Sequence, residues 1–552
     1  MTARVRMCAA LGLLLFAIGQ AGFRSKAQVT PIVIKVDAAA SRHKIDPRIY
    51  GLAYATPAQL RDLRAPTNRM GGNNTSRYNW KLNADNRAND WYFESIADAS
   101  ATPGERGDTF IANAHSGGAE PMVTIPMLDW IAKVGPKRGK LAGFAVSKYG
   151  PQQKTDPYLP DAGNGLKPDG MQIDGNDPGE ANVRNSVAFQ REWVQHLVQR
   201  NGTAAKGGLR YFLLDNEPGI WHGTHRDVQP EGIKAEALRD RILQYSAAIK
   251  SVDPGALVVA PEEWGWTGYI YSPYDHWYGG KHGWTNLPEH AGVQGGRDFM
   301  PWLLDQFRRD NAKSGKRLVD VFTAHIYPQG GEFGNDASPE MQDRRNRSTR
   351  ALWDPDYVDE SWIKEKIRLI PRLKDWVGTN YPGTAIGITE YNWGAEGHIN
   401  GATAQADVLG IFGREGLDLA NRWTTPATGS PAYNAMKLYR NYDDKGSAFG
   451  DTSIRADAPT PDKLSVFAAI RQSDGALTVM VVCKDRSGPA TVSIDIANFT
   501  PNGAAQTWQL TTANKILRLA ETPVTAKRVR ATVPTQSITL FIVPANRSAI
   551  VQ

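Results

Sequence analysis

Cysteine is scarce in this 552-residue sequence, which contains only Cys8 and Cys483. Cys8 lies in an N-terminal segment that we expect to be removed, so Cys483 would remain alone and no internal disulfide bond could form. Cys8 also lacks the small residues that precede a lipid-modified cysteine, which favours a released chain. A packed core must therefore stabilise the fold, and the composition, with 41% hydrophobic and 22% charged residues, is that of a soluble globular protein.

Blocks of like charge, long apolar runs, zinc motifs and internal repeats are also missing. The 64 basic and 57 acidic residues are spread along the chain, and the net charge of +7 comes without a Lys or Arg cluster of the kind that binds phosphates. Nucleic acid is therefore not an expected partner. After the N-terminus no segment approaches the run of about 20 apolar residues that a membrane helix needs, and no His/Cys pattern fits zinc.

The first 27 residues have the pattern of a secretory signal. Arg4 and Arg6 form a basic start, residues 7–18 are apolar, and small residues follow. The apolar stretch is too short to span a bilayer, and the cleavage site is left open between residues 19 and 27. We expect an exported monomer, extracellular or periplasmic if the host has an outer membrane, with no membrane attachment after the signal is removed.

Eight short apolar runs alternate with helical patterns between residues 49 and 455. The runs occupy 49–54, 67–70, 121–125, 211–214, 257–260, 318–325, 385–389 and 417–423. Apolar residues at helical spacing occupy 187–200, 235–252, 299–313, 362–376 and 404–415. Strands that alternate with helices in this number predict an α/β fold, a closed (β/α)8 TIM barrel over 49–455.

The C-terminal part of the chain changes to short β-rich runs separated by Gly, Pro, Asn or Ser. These runs occupy 463–470, 477–483, 490–496, 505–510 and 537–543 and predict a β-sandwich over 456–552. Residues 31–36 also resemble a strand and lie outside the eight-strand count. We therefore expect the N-terminal segment 28–48 to join the sandwich before the chain enters the barrel, which would make the small domain discontinuous in sequence.

Two glutamates follow predicted strands of the barrel. Glu217 ends a Leu-Leu-Asp-Asn-Glu run at the fourth strand, and Glu390 directly follows the seventh. Barrel chemistry takes place at the carboxyl ends of the strands, and these two ends would face each other across the barrel mouth. Cleavage of a glycosidic bond needs one carboxylic acid and one carboxylate. Either glutamate alone could be a solvated or helix-capping residue, but the pair predicts a glycosidase.

Longer segments around these glutamates resemble glycoside hydrolase family 44. The matching segments are 68–80 (Asn-Arg-Met-Gly-Gly-Asn-Asn-Thr-Ser-Arg-Tyr-Asn-Trp), 147–153, 215–218, 224–228, 348–350, 352–355, 389–394 and 405–416. The resemblance covers essentially the whole mature chain. It implies a barrel with an attached β-sandwich and a retaining endo-β-1,4-glucanase or xyloglucanase, with Glu217 as acid/base and Glu390 as nucleophile.

The resemblance also implies roles for residues beside the two glutamates. Asn216 matches an Asn that hydrogen-bonds the sugar 2-hydroxyl in related barrels, with a turn-capping role as the alternative. Tyr327 and His325 match positions that orient the nucleophile. Tyr327 is the better candidate, because a buried core histidine would also explain His325. Arg69 is expected to form a salt bridge that keeps Glu390 ionised, or else to pair structurally.

Aromatic and amide side chains are candidates for the walls of a sugar-binding cleft. Indole rings stack on the apolar faces of sugars, and amides bind hydroxyl groups. The candidates are Trp80, Trp264, Trp266, Trp393, Asn73 and Asn74. Each tryptophan could instead belong to the core, and the two asparagines could instead shape a Gly-rich turn.

One segment departs from the family pattern. Glu262 and Glu263 stand directly before Trp-Gly-Trp, where the family more usually has apolar residues. Exposed side chains on the loop after the fifth strand are the expected explanation, with an influence on the local field or on substrate preference as the alternative.

A loop of oxygen ligands is the candidate metal site. Asp174, Asn176, Asp177 and Glu180 have the ligand chemistry that calcium prefers, but their spacing matches no complete calcium loop, so a solvated acidic loop is expected. The family resemblance implies no cofactor for catalysis and leaves room for a structural calcium ion whose ligands the sequence does not name.

Two alternatives to the leading hypothesis stay open. A non-catalytic glucan-binding protein could use the same barrel, since fold alone does not imply chemistry. The two intact glutamates argue against that alternative. An enzyme on this fold could also act on xylan or mannan, because loops set the selectivity. The expected partner is a β-glucan such as cellulose or xyloglucan.

Overall fold

The computed structural model describes residues 30–546, and a closed barrel of eight parallel strands forms its centre. The barrel strands, numbered one to eight in chain order, are Gly51–Ala53, Thr67–Met70, Glu120–Ile125, Tyr211–Leu214, Leu257–Glu263, Val321–Ile326, Ala385–Tyr391 and Leu419–Arg422. Each strand pairs with the next along the chain, and strand eight pairs with strand one. The predicted (β/α)8 barrel is confirmed, and the carboxyl ends of its strands share one mouth.

Helices surround the barrel and bury one face against it. In Ala235–Val252, for example, Leu238, Ile242, Tyr245 and Ile249 are buried at intervals of three and four residues, as expected for an amphipathic helix. The longer helices are Glu105–Ser116, Val187–Asn201, Ala235–Val252, Pro273–His282, Phe299–Ser314, Pro339–Ser348, Leu369–Asn380, Ile399–Glu415 and Pro431–Arg440.

The predicted helix over 362–376 is wrong in its first half. The helix there is Leu369–Asn380, and the residues before it form a loop in which Trp362 is 56% exposed. Lys364 and Arg368 both adopt positive φ angles, of 54° and 37°. Such angles are incompatible with a right-handed helix, so the helix cannot begin before Leu369.

A β-sandwich follows the barrel in sequence and includes the first described strand. Its longer strands are Ile32–Asp37, Thr452–Asp457, Leu464–Ile470, Leu477–Cys483, Ala490–Ala497, Gln506–Leu510, Arg528–Val533 and Ser537–Val543. Ile32–Asp37 pairs in parallel with Ala490–Ala497 and antiparallel with Thr452–Asp457. The N-terminal strand therefore joins the small domain, as expected. The exact domain boundaries stay predictions.

The helix Ile399–Glu415 connects the two domains. It is buried from Ile399 to Gly413, as expected for a helix with packing partners on all sides. At Gly410 an added Cβ would lie 2.1 Å from the ring of Phe467, so only glycine allows this approach of the sandwich. Nearby, Lys484 Nζ lies 2.8 Å from Asp407 Oδ2, and both side chains are buried. This pair and the glycine contact hold the sandwich against the barrel.

The predicted signal segment, with Cys8, lies outside the described residues. Cys483 is buried within the sandwich. In the described part of the chain no helix combines the length and the apolar character that crossing a membrane requires.

Candidate active site

Glu217 and Glu390 meet at the carboxyl end of the barrel. Glu217 follows strand four, and Glu390 is the second-last residue of strand seven. A carboxylate oxygen of each glutamate and a ring nitrogen of His325 all lie within 4.8 Å of one another. The Glu390 side chain is 6% exposed and that of Glu217 is 14% exposed, so both border a site with limited access to solvent.

Backbone strain positions Glu217 above the barrel. Asp215 and Glu217 both have positive φ angles, of 62° and 48°, which cost free energy in residues other than glycine. The carboxylate of buried Asp215 accepts the backbone N–H groups of Met127, Asn216 and Leu128, and thereby holds the turn against the end of strand three. Burial raises the pKa of Asp215 to about 6 despite these hydrogen bonds.

Two donors hold the carboxylate of Glu390. Arg69 Nη1 lies 2.6 Å from Oε1, and the hydroxyl group of Tyr327 donates a 2.9 Å hydrogen bond to Oε2. Arg69 is fully buried and extends from strand two, while Tyr327 follows strand six. Both contacts favour the ionised carboxylate, so Glu390 is presented as an oriented anion.

Glu217 lies in an environment that favours its protonated form. Burial raises its pKa and the negative charge of Glu390 adds to the shift, while His325 opposes it through a 2.8 Å contact between Nδ1 and Glu217 Oε1. Burial also disfavours the charged form of His325. The surrounding carboxylates, Glu390 first, outweigh that effect and raise the pKa of His325 to about 10. The site therefore combines a carboxyl group whose pKa is raised with a His325 ring that is an imidazolium at neutral pH.

The predicted amides lie beside the two glutamates. Asn216 Oδ1 accepts a 3.2 Å hydrogen bond from Arg69 Nη2, and its Nδ2 donates a 3.1 Å bond to Asn73 Oδ1. Asn73 also donates to Asp90, and Asn74 donates a 2.9 Å bond to buried Asp85. Asn73 and Asn74 therefore hold the loop after strand two, which corresponds to the turn-shaping alternative.

Two of the four predicted sugar-stacking tryptophans are core residues instead. Trp80 is 9% exposed and its indole N–H donates to the carbonyl of Phe189 at 3.3 Å. Trp393 is 2% exposed and donates to Ser348 Oγ at 3.0 Å. With their rings inside the packed core, neither can stack on a polymer. Both tryptophans are close in sequence to predicted site segments, and that position gave no sign that their rings would be buried.

The other two tryptophans are half-buried near the mouth. Trp264 stacks on His276, with ring centroids 5.5 Å apart and an angle of 10° between the rings. Trp266 packs edge-on against Tyr269 and beneath Arg372. Trp264 lies on the Glu217 side of the mouth, because its stacking partner His276 donates a 2.9 Å hydrogen bond from Nδ1 to the carbonyl of Gly219, two residues after Glu217.

An open groove with exposed aromatic rings, near Glu390, was not predicted from the sequence. A depression of about 700 Å³ is lined by residues that include Tyr54, Asn74, Asp90, Trp91 and Trp423. Trp91 is 39% exposed and Tyr54 is 40% exposed. Trp423 follows strand eight, so its position at a strand end could have identified it, whereas Trp91 lies in an irregular loop without a comparable signal.

A glycine brings the loop after strand two against this groove. At Gly72, with a φ angle of 87°, an added Cβ would lie 2.6 Å from the Trp423 ring. Arg69 lies on the same ring, with Cζ 5.6 Å from its centroid. Trp423 thus connects the groove to the arginine that holds Glu390.

The expectation that Glu262 and Glu263 are exposed is wrong. Both are fully buried, because strand five continues through Glu263 instead of ending at Ala260. A register shift between Ala260 and Glu263 turns both side chains inward. Glu262 contacts Arg69 and His325, so it belongs to the charge network of the site.

The four residues of the candidate calcium loop do not form a metal site. Asn176 donates to the carbonyl of Asp227 at 2.9 Å, and Asp177 accepts the backbone N–H of Gly179. Glu180 accepts a 2.9 Å bond from Tyr149 and pairs with Lys148. These contacts engage Asn176, Asp177 and Glu180 with separate partners, and among the described residues only Glu217, His325 and Glu390 bring three acidic, His or Cys ligands together.

Sequence and structure comparisons identify the family. The sequence model of glycoside hydrolase family 44 matches residues 84–330. Endoglucanase A of Paenibacillus lautus is 30% identical over 512 residues, which cover 87% of this chain and 68% of that protein. The chain belongs to glycoside hydrolase family 44. As a family 44 member it is a glycoside hydrolase, and enzymes of this family need no cofactor for catalysis.

Solved structures of family 44 agree with this assignment. CelM2, a bifunctional glucanase-xylanase from a metagenome library, is 59% identical with a TM-score of 0.93, over 94% of this chain and 100% of that one. A xyloglucanase of Paenibacillus polymyxa is 30% identical with a TM-score of 0.77, over 93% and 99% of the two chains.

Proposed function

We propose that this family 44 protein is a retaining endo-β-1,4-glucanase that cleaves internal bonds of cellulose-type glucans or xyloglucan. The separation of its two carboxyl groups carries the proposal. Retaining glycosidases hold these groups about 5–5.5 Å apart, whereas inverting enzymes hold them about 6.5–9.5 Å apart to admit a water molecule. One carboxylate oxygen of Glu217 and one of Glu390 lie within 4.8 Å of each other, which supports the shorter separation of a retaining enzyme.

In the first half of the reaction Glu217 donates its proton to the glycosidic oxygen while Glu390 attacks the anomeric carbon. The bond to the leaving sugar breaks, and a glycosyl ester of Glu390 forms. Arg69 and Tyr327 orient the attacking carboxylate through its two oxygens. Asn216, which Arg69 holds at 3.2 Å, is placed to meet the 2-hydroxyl of the reacting sugar.

In the second half Glu217 acts as a base. The ester has removed the charge of Glu390, which was one of the factors that raised the pKa of Glu217. The carboxylate of Glu217 then takes a proton from water, and the resulting hydroxide attacks the anomeric carbon and releases Glu390. His325, at 2.8 Å, stabilises the carboxylate during this interval.

Internal cleavage is supported by the open groove. The leaving sugar must lie on the side of Glu217, since that residue protonates the departing oxygen. The groove lined by Tyr54, Trp91 and Trp423 then takes the sugars that precede the cleaved bond. Its exposed rings suit the apolar faces of a β-glucan, and its open end lets the polymer continue.

Reaction products distinguish this function from its alternatives. Purified protein would be incubated with carboxymethylcellulose, xyloglucan, xylan and mannan, and NMR would follow the anomer that forms first. We expect cleavage of a glucan backbone with initial release of the β-anomer. Initial α-anomer would contradict retention, and preferential cleavage of xylan or mannan would contradict the glucanase. Binding to all glucans without any cleavage would indicate a glucan-binding protein.

Export as a monomer completes the proposal. The N-terminal pattern of Arg4, Arg6 and the apolar stretch 7–18 supports export. Fractionation of the expressing host and mass spectrometry of the mature N-terminus would test it, with retention of the full chain inside the cell as the contrary outcome. Size-exclusion chromatography with light scattering would test the monomer.

A further inference from the structure

A third buried carboxylate lies beneath the catalytic pair. Glu262, at the end of strand five, is 0% exposed. Its Oε1 accepts hydrogen bonds from the hydroxyl groups of Thr323, at 2.7 Å, and Thr389, at 2.6 Å. Its Oε2 accepts bonds from Arg69 Nη2, at 2.8 Å, and Nε, at 3.2 Å. Only donors surround the side chain, so it is held as an anion.

Glu262 shares a cation with each catalytic glutamate. Arg69 spans from Glu262 to Glu390, with contacts of 2.8 and 2.6 Å. His325 spans from Glu262, at 3.4 Å from Nε2, to Glu217, at 2.8 Å from Nδ1. The backbone N–H of Glu217 also donates to the carbonyl oxygen of Glu262 at 3.0 Å. Glu262 therefore contacts both His325, which holds the acid, and Arg69, which holds the nucleophile.

We propose that Glu262 is a positioning residue that keeps His325 doubly protonated and thereby directs the acid proton of Glu217 to the substrate. The proposal rests on the roles assigned above to Glu217 and Glu390 and deepens them. An anion at Nε2 holds a proton there, and Nδ1 then carries the second proton that it donates to Glu217 Oε1.

The location of the acid proton follows from that arrangement. Since Glu217 Oε1 accepts a hydrogen bond from the imidazolium, the proton of the carboxylic acid must reside on Oε2. A neutral His325 with its proton on Nε2 would instead accept the acid proton at Nδ1 and withhold it from the glycosidic oxygen. Glu262 therefore leaves Oε2 as the donor, and the same imidazolium stabilises the carboxylate once the proton has moved.

The charges around His325 balance only with Glu262 included. Glu390 Oε2 is 3.7 Å from Nδ1, and the hydroxyl group of Tyr269 donates to the carbonyl oxygen of His325. The ionisable groups that face His325 from the surrounding elements are Arg69, Glu217, Glu262, Glu263, Tyr269, Tyr327 and Glu390. Two cations, Arg69 and His325, are matched by two anions, Glu262 and Glu390. Burial opposes ionisation of Glu262, but Arg69 and then His325 lower its pKa to about 2.

The neighbouring residue provides a matched control. Glu263 is buried to the same degree, accepts the backbone N–H of Trp264 at 3.0 Å, and packs against Gly219 and Gly268. Burial raises its pKa to about 8, so it is a neutral acid at neutral pH. Glu263→Gln keeps the shape and the charge, whereas Glu262→Gln keeps the shape and removes the charge.

The test combines NMR of His325 with kinetics on an unactivated cello-oligosaccharide, whose sugar leaving group needs the acid. In the wild-type protein labelled with 15N-histidine, both ring nitrogens of His325 should carry protons from about pH 5 to 8.5, and the signals would be assigned by their loss in His325→Gln. In Glu262→Gln the pKa of His325 should fall, because the anion at Nε2 is lost while Glu390 and Glu217 remain. We expect kcat to fall about 100-fold, as for loss of general-acid catalysis, with KM changed less than about threefold. Below the Glu263 pKa of about 8, where that carboxyl is neutral, Glu263→Gln should match the wild type in both measurements.

A neutral His325 in the wild type at neutral pH would overturn the proposal, and that measurement requires no variant to fold. An unchanged His325 titration in folded Glu262→Gln would overturn it as well. If the wild type were inactive on every glucan while His325 is doubly protonated, the proposed function would be contradicted. The effect of Glu262 on the protonation of His325 would still be supported.

Discussion

The hydroxyl group of Tyr327 donates a 2.9 Å hydrogen bond to Oε2 of Glu390, the oxygen that Arg69 does not contact. Burial, followed by the charge of Glu390, raises the pKa of Tyr327 well above its ordinary value, so the phenol is a donor at neutral pH. The nucleophile is thus held at both oxygens, and each bond restricts its rotation before attack.

Replacing Tyr327 by Phe should lower kcat about 10- to 100-fold, since a hydrogen bond to a charged group contributes about 1.5–3 kcal/mol. Steady-state kinetics on an aryl β-cellotrioside would measure the effect. Tyr442→Phe removes a buried phenol that accepts a 2.8 Å bond from Arg471 outside the site, and it should leave kcat unchanged. Equal losses in both variants would show a general effect of core tyrosines.

Azide should assign the roles of the two glutamates. On an activated aryl substrate with azide, Glu217→Ala should form a β-glycosyl azide, because the anion attacks the ester on Glu390. Glu390→Gly should form an α-glycosyl azide, because azide enters the space of the missing carboxylate. NMR of the products would decide, and exchanged configurations would reverse the assignment.

Glu263→Gln should stabilise the protein at neutral pH. Burial raises the pKa of Glu263 to about 8 in the folded protein, above the ordinary value of about 4.3 in the unfolded chain. The folded state therefore binds more protons between these values, and stability falls as pH rises through that window. Glutamine does not ionise, so the stability of the variant does not fall in this way.

Urea unfolding at about pH 4.5 and pH 7.5 would measure the difference. The gain of the variant should be on the order of 1–3 kcal/mol at the higher pH and small at the lower one. A variant that is less stable than the wild type at both values would contradict the prediction.

Trp91 should contribute to binding of polymer rather than to chemistry. Its ring is exposed in the groove beside Trp423, and loss of a stacked sugar costs about 1.4 kcal/mol, or about tenfold in kcat/KM. Trp91→Ala should therefore lower kcat/KM on xyloglucan or carboxymethylcellulose through KM, with kcat retained. Leu517→Ala, an exposed apolar residue of the sandwich, is the control. A fall in kcat alone would contradict a binding role.

Local pattern was sufficient to predict the barrel strands but not their ends. The predicted runs located all eight strands, and most of these strands are hydrophobic throughout, as is usual for buried parallel strands; strands two and eight also carry buried polar residues. Strand five, however, continues through Glu262 and Glu263, since buried partners on strands two, six and seven satisfy the charge of Glu262. Such partners come from residues distant in sequence and cannot be read from the strand itself.

The site was predictable where chemistry depends on strand ends. Glu217, Glu390, Arg69 and Tyr327 all follow or end barrel strands and lie together in the structure. The tryptophans were not predictable in the same way, because one indole ring serves equally well in a core or a cleft. Trp80 and Trp393 show the first outcome, and Trp91 shows the second.

The strand Ile32–Asp37 lies between Thr452–Asp457 and Ala490–Ala497, so the entire barrel is inserted between two hydrogen-bonded partners of one sheet. The sheet cannot be completed until the barrel sequence has been synthesised, which places this pairing late in folding. Once formed, it fastens the beginning of the chain to its end. A protease that cut a surface loop of the barrel would leave two fragments still held together through the sandwich.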